Sequence, residues 1–394
     1  MKISAIRTYK FSVPTGQEIR DPDSGELLCS TSKPWLFLKI ETDAGLCGWG
    51  EGTGEWLVPG VEATLHDWAV LLEGRDPLPV SAICDDILDR IPWRPGPVFG
   101  TALSAINAAL YDIAGKAWNV PVHTVLGGAR RQRVRVYGHC SLDDPASAAE
   151  QARRVQELGF AGVKGNPLET RTWIRDRAAI ELSIECVAAM REAVGDDFDL
   201  LLDAHGSPSA ELSIDFARRL ESYRPLFLEE PVKAGSIEAL LEVARNSPVP
   251  IATGEKLVTV RDFIPLIQSR ACAYLQPDVA HCFGIDTLVE IGRLADLERM
   301  HMAPHNAGGP LTLAASLAAD AVTPNFLIQE LSQEWFARFG DYVDSDWQVR
   351  DGHLELSDRP GLGVEVKESD IAKLPYEPLP YRQYRHVDGS WKGW

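Results

Sequence analysis

From about Val134 onward, short apolar runs recur eight times, and this rhythm constrains the chain more than any other feature. The runs are RVRVYGH, FAGVKGN, FDLLLDAH, PLFLEEPV, VPIATGEKL, AYLQPDVAH, RMHMAPHN and NFLIQE. The segments between them mostly carry helical periodicity. After DAHG, for example, Ser207-Pro208 opens a stretch whose Leu212, Phe216, Leu220 and Tyr223 fall on one face. Eight strand–helix units over roughly 200 residues are what an eight-stranded parallel barrel requires. A doubly wound sheet alternates in the same way, but it needs no eightfold count and usually shows a glycine-rich phosphate loop, which is absent. The expected fold class is α/β, a (β/α)7-8 TIM-type barrel.

The first third reads as a separate α+β unit. KISAIRTYKFSV and PWLFLKIETDAGLCGWGEG are strand-like, and the stretch from Val61 to Trp118 turns helical. The polar segment between the strands, PTGQEIRDPDSGELLCSTSK, reads as a long mobile loop, a feature that in folded domains is usually functional or disordered. The expected division is a capping domain with specificity loops at 1-125, a barrel at 126-340, and a C-terminal segment at 341-394 that packs back on the cap.

Charge and cysteine content narrow the function. The chain has 57 acidic against 39 basic residues, a net charge of -18, which argues against nucleic acid or an anionic membrane as partner. An anionic substrate would need positive charge supplied locally. The amino terminus has no apolar core of signal-peptide length, and no later stretch reads as membrane-spanning. Seven dispersed cysteines without a CxxC pair read as reduced thiols in the cytoplasm, not as a zinc site.

In barrels of this kind catalytic groups gather at the carboxyl ends of the strands. Seven runs close on ionisable side chains: Lys164, Asp203 with His205, Glu229, Glu255, Asp278, His305 and Glu330. No side chain is assigned from the first run. From Asp203 the spacings are 26, 26, 23, 27 and 25 residues, about one strand–helix unit each, so these groups ring one mouth. Asp203, Glu229 and Glu255 on adjacent strands cannot stay ionised together without a cation, and oxygen ligands in this number suit Mg²⁺. Salt bridges to nearby lysines are the alternative. Asp278 can orient His305 as a base, and Glu330 can face a developing enolate oxygen as an acid.

In this order the residues resemble the enolase superfamily, in its mandelate racemase-like branch, and within it D-galactonate dehydratase-type acid sugar dehydratases. The resemblance rests on ALYDIAGKAWNVPVHTVLGG, DAHG, YRPLFLEEPV, TGE, LQPD, APHN, QE and RPGLGVEV. It implies one Mg²⁺ held by Asp203, Glu229 and Glu255, an Asp278–His305 base dyad, Glu330 facing the enolate, and His205 as general acid. Glu230 is then structural. Racemases of the branch commonly carry a KxK pair; here Lys164 is followed by Asn166, an amide that cannot abstract a proton. Lys164 then offsets substrate charge or forms a structural ion pair. Cys282 and Phe283 stand where relatives usually have alanine and glycine, and Ala307 and Gly308 replace a bulkier pair. Both changes are expected at the mouth.

Together these features imply dehydration of an aldonate or aldarate to its 2-keto-3-deoxy acid: His305 takes the proton beside the carboxylate and His205 protonates the leaving hydroxyl. Trp56, Arg20 and Lys33 are substrate-binding candidates from the cap, with Asn166 from the barrel. The expected partners are a small sugar acid and further copies of the chain. Epimerisation or lactone cycloisomerisation on the same scaffold is the nearest rival, and a non-catalytic metal-binding barrel is the third reading.

Overall fold

The computed structural model describes residues 1–15, 19–20, 27–29, 32–93, 95–167 and 177–379. The eight apolar runs form eight strands: Arg133–Cys140, Gly162–Gly165, Asp199–Asp203, Phe227–Glu229, Ile251–Thr253, Tyr274–Leu275, His301–Met302 and Gln329–Glu330. The first seven pair in parallel, each with the next. The eighth returns to the first, with Gln329 opposite Val136 and Glu330 opposite Tyr137. A Met302–Phe326 bridge joins the seventh strand to the approach of the eighth and closes the barrel.

Helices Pro145–Glu157, Arg177–Val194, Ala210–Leu220, Ile237–Asn246, Val260–Ser269, Ile285–Leu297 and Pro310–Val322 fill the seven connections. Local chemistry sets their starts. Ser209 accepts from Leu212 N, so the helix after DAHG begins at Ala210 and buries Leu212, Phe216 and Leu220 as the periodicity required. Thr259 and Asp262 form a reciprocal capping box at the fifth.

Strand alternation builds a dry floor beneath the mouth. Tyr137, Leu201, Phe227, Ala252, Ala303 and Ile328 pack together inside the barrel, each fully buried. Two residues further on, the same inward phase delivers His139, Asp203, Glu229, His305 and Glu330.

The cap is a three-stranded antiparallel sheet, Ile3–Pro14, Ser32–Thr42 and Cys47–Glu51, covered by helices. Leu36, Leu38 and Ile40 are fully buried, and so are Trp35 and Phe37 on the alternate phase. Trp35 meets Trp335, Phe339 and Tyr342 from beyond the barrel, with ring centroids 6.1, 5.8 and 5.1 Å away. The helix Pro97–Trp118 starts with proline in its first turn and stops at Asn119, whose φ of 54° lets its N–H reach Gly115 and Lys116 carbonyls. Gly48 and Gly50 let this helix touch the sheet: a Cβ on either would lie 2.0 Å from the carbonyl oxygen of Ala109 or Ala105.

The helix Pro97–Trp118 bears on the expectation that no stretch spans a membrane. Its 22 residues are long and apolar enough to cross a membrane by length and composition, but 89% of the relevant window is buried inside the fold. Its apolar surface is core surface. The segment read as a polar loop contains two short strands, Ile19–Arg20 and Leu27–Cys29, which pair antiparallel. The side chain of Arg20 lies outside the described residues. Past the barrel, His353–Glu355 pairs antiparallel with the start of the first barrel strand, and Glu368 accepts from Lys39 of the cap at 2.8 Å.

Gly50→Ala should lower stability by about 1–3 kcal/mol, because the added methyl meets helix backbone that cannot yield without separating the two layers. The denaturant midpoint reads this directly.

Candidate active site

The strand ends do converge. A cavity of about 500 Å³ at the barrel mouth is lined by Lys164, Asn166, His205, Glu255, His305 and Glu330, with Trp56 reaching in from the cap. Ala307 and Gly308 also line it, as expected. Cys282 and Phe283 are buried instead; Gly284 beside them lies against Asn107 of the cap helix, which a Cβ would approach to 2.5 Å. Phe283 there adopts φ 70°, a left-handed conformation that costs a bulky residue strain.

Asp203, Glu229 and Glu255 offer one ligand oxygen each, all within 4.8 Å of one another. Asp203 and Glu229 are fully buried. Lys164 provides the compensating charge present in the chain: its Nζ stands 3.1 Å from both oxygens of Glu229, 3.2 Å from Asp203 Oδ2 and 2.7 Å from Glu330 Oε1. Burial opposes that charge, but Glu229 and Glu330 hold the ammonium well above its ordinary pKa. Three carboxylates around it favour the charged form.

Lys256 adds a second ammonium, with Nζ 3.5 Å from Glu255 Oε1, yet the two do not balance the cluster. Burial, and then the charge of Asp203, drive Glu229 well above the usual carboxylate range despite Lys164. For Asp203 burial pushes upward, but His205 and Lys164 outweigh it and keep this group ionised. Asp203 Oδ2 and Glu255 Oε2 are buried with ion-pair neighbours at 3.1–3.4 Å but no well-aligned hydrogen bond. A hard divalent cation with oxygen ligands fits those two atoms and relieves the repulsion on Glu229.

Asp203 also shapes its neighbour. Its Oδ1 accepts from His205 N at 2.8 Å, and His205 takes φ 49° as the strand turns. The His205 ring then lines the cavity, with Nε2 3.1 Å from Asp203 Oδ2. Across the mouth, His305 Nδ1 lies 2.7 Å from Asp278 Oδ2, and Nε2 lies 3.4 Å from Glu255 Oε2. Burial opposes protonation of His305, but Glu255, Glu330 and Asp278 raise its pKa well above the usual value.

Glu330 accepts from Lys164 Nζ at 2.7 Å, His139 at 2.6 Å and Asn306 N at 3.1 Å. Burial pushes its pKa up, but Lys164, His305 and His139 hold the carboxyl well below the usual range. In this arrangement the Glu330 carboxylate accepts hydrogen bonds from three sides. Its geometry is that of an anchor. Glu230 turns from the ligands to pair with Lys256, and burial, reinforced by Glu255, pushes it up to about 7.

Sequence reasoning missed two groups here. His139 ends the first run and shares the inward phase of Tyr137, a signal that was available. Glu51 gave none. It is a buried cap residue that accepts from Gly309 N (2.6 Å), Leu311 N (3.1 Å) and Thr312 N (3.0 Å), capping the helix Pro310–Val322 just after His305. Lys33 adds a bond from Nζ to Ala307 O at 2.6 Å.

Comparison with known proteins agrees with this architecture. Residues 13–127 match the mandelate racemase / muconate lactonizing enzyme N-terminal domain, and residues 147–370 match the enolase C-terminal domain-like family. The chain therefore belongs to the mandelate racemase and muconate lactonizing enzyme family of the enolase superfamily. A D-galactonate dehydratase from Variovorax paradoxus is 36% identical over 91% of this chain and 96% of its own length. One from Pectobacterium atrosepticum is 34% identical with the same coverage. Among solved structures, an enolase from Agrobacterium radiobacter with bound sodium and L-malate superposes with a TM-score of 0.86 at 29% identity, covering 99% of both chains.

The metal-free protein should carry a proton on the Asp203–Glu229 pair that a bound cation displaces. Cation affinity should then rise with pH until that carboxyl ionises unaided, and Glu229→Gln should weaken Mg²⁺ binding at least tenfold. Calorimetry in buffers of different ionisation enthalpy measures both the affinity and the proton release.

Proposed function

We propose that the chain is a Mg²⁺-dependent hydro-lyase that converts an aldonate or aldarate into its 2-keto-3-deoxy acid. The observation that carries this reading is the placement of the His305–Asp278 pair beside the Asp203–Glu229–Glu255 cluster, with His305 Nε2 3.4 Å from Glu255. Relatives called D-galactonate dehydratases, similar along nearly their whole length, support the substrate class.

A divalent cation held by Asp203, Glu229 and Glu255 would stabilise the charge that grows on a substrate carboxylate as its α-proton leaves. His305 takes that proton on Nε2. Its Nδ1–H donates to Asp278, which fixes the ring and steadies the imidazolium that forms. Losing the β-hydroxyl requires a second proton, delivered from elsewhere. His205 follows the third strand and His305 the seventh, half a turn apart around an eight-stranded mouth. His205 therefore serves as the acid: the β-carbon–oxygen bond breaks, water departs, and the remaining enol becomes the keto acid.

Elimination is favoured over two-base racemisation by the second strand. Lys164 is locked as a cation among three carboxylates, and the position of a second lysine is taken by Asn166. Residues 1-125 act as the cap, with Trp56 closing over the substrate and the carboxylate of Glu55 beside it in the wall.

Purified protein with Mg²⁺ should release a 2-keto-3-deoxy acid from a member of an aldonate and aldarate panel. His305→Asn should cost at least about 100-fold in kcat; full turnover by this variant would overturn the assignment. Asp278→Asn should shift the acidic limb of the kcat/KM profile to lower pH, since it removes one of the charges that raise the His305 pKa.

A further inference from the structure

The first barrel strand supplies a cavity group that the strand-end pattern left unassigned. Tyr137 points into the barrel floor, and His139, two residues on, points the same way and lines the cavity. It is fixed twice. Gln333 grips its backbone on both sides: His139 N donates to Gln333 Oε1 and Gln333 Nε2 donates to His139 O, each at 2.8 Å. Gly138 permits this grip, since a Cβ there would lie 2.8 Å from Gln333 Oε1. The ring is held through Nε2, 2.6 Å from Glu330 Oε1.

Lys164 and Asn306 already donate to Glu330, so its carboxylate is an acceptor and His139 Nε2 carries the hydrogen. Nδ1 remains. The side chain is 36% exposed, and among the described residues no hydrogen bond reaches Nδ1. An imidazole anchored by one nitrogen, on a side chain that lines a cavity, suits recognition of a hydroxyl group through the other.

Its position around the mouth says which hydroxyl. Asp203, Glu229 and Glu255 occupy the third, fourth and fifth strand ends, and His305 follows the seventh. His139 on the first strand faces the arc opposite the three carboxylates. A substrate whose carboxylate end lies with the acidic cluster, and whose reacting carbons lie between His305 and His205, extends its remaining chain toward His139.

We infer that His139 is a specificity-determining residue that hydrogen-bonds through Nδ1 to a hydroxyl on the substrate chain beyond the two reacting carbons. The site thereby selects extended polyhydroxy acids over short or apolar ones. The inference rests on the dehydratase reading above.

Two variants separate this role from simple support of Glu330. In His139→Gln the amide nitrogen replaces Nε2 and keeps the bond to Glu330 while the Nδ1 contact is lost. In His139→Asn the shorter amide keeps a polar atom near Nδ1 and gives up Glu330. His139→Gln should raise KM about tenfold with kcat within about threefold, and His139→Asn should retain the lower KM of the two. A substrate analogue lacking the recognised hydroxyl should cost the wild type about tenfold and the Gln variant nothing further. Wild-type KM in His139→Gln, or equal losses by both enzymes for every deoxy analogue, would overturn the proposal.

If the wild type dehydrates no acid in the panel, the dehydratase reading fails by itself. Calorimetry of the same acids on Mg²⁺-loaded wild type and His139→Gln still decides the role of His139. About tenfold weaker binding by the variant supports it, and equal or absent binding by both overturns it.

Discussion

Negative charge crowded above a dry floor is the constraint around which the molecule is organised. Asp203, Glu229, Glu255, Asp278 and Glu330 meet at one barrel mouth, and beneath them Tyr137, Leu201, Phe227, Ala252, Ala303 and Ile328 exclude water. Such a cluster costs several kcal/mol per uncompensated charge, so it persists only where cations and hydrogen bonds offset the repulsion. Lys164 does this from the second strand, His305 from beside the seventh and His139 from the first. What they leave unrelieved is concentrated on Glu229, flanked by Asp203 Oδ2 and Glu255 Oε2, which meet Lys164, His205 and His305 only as ion-pair neighbours at 3.1–3.4 Å. The proposed metal site is where the charge balance fails without an ion.

The same constraint explains the bracing around the site. His305 lies between Asp278 and Glu255, and the loop after it is held at each step: Asn306 N by Glu330, Ala307 O by Lys33, and Gly309 N by Glu51. The cap thus contributes to the placement of the proposed base as well as to the walls of the cavity. His281 is a further point of contact, with Nδ1 2.7 Å from Thr101 Oγ1 on the cap helix and Nε2 3.9 Å from Asp278.

Much of this was legible in the sequence because two periodicities overlap there. Apolar runs at strand–helix spacing announce the barrel, and the alternation within each strand places Asp203, Glu229 and Glu330 on the inward phase. The same reasoning applied to RVRVYGH reaches His139 from Tyr137, and only the restriction to the later runs left it out. Other features were illegible for a physical reason. Glu51 acts across a domain boundary on amides more than 250 residues away, and no local pattern encodes such a pairing. The three hydrogen-bond donors on Glu330 arrive from separate strands and loops, so no local pattern announces them.

The joint at Glu51 has a bearing on how proteins of this build diversify. A carboxylate from one folding unit closes the amide end of a helix in the other, and neither half is complete without its counterpart. Recombination that traded one lid for another would strand three amides and a sequestered acid unless the new lid brought its own. The short turn Glu55–Leu57 at the rim lines the cavity without taking part in the joint, so its side chains can change while the joint is inherited intact.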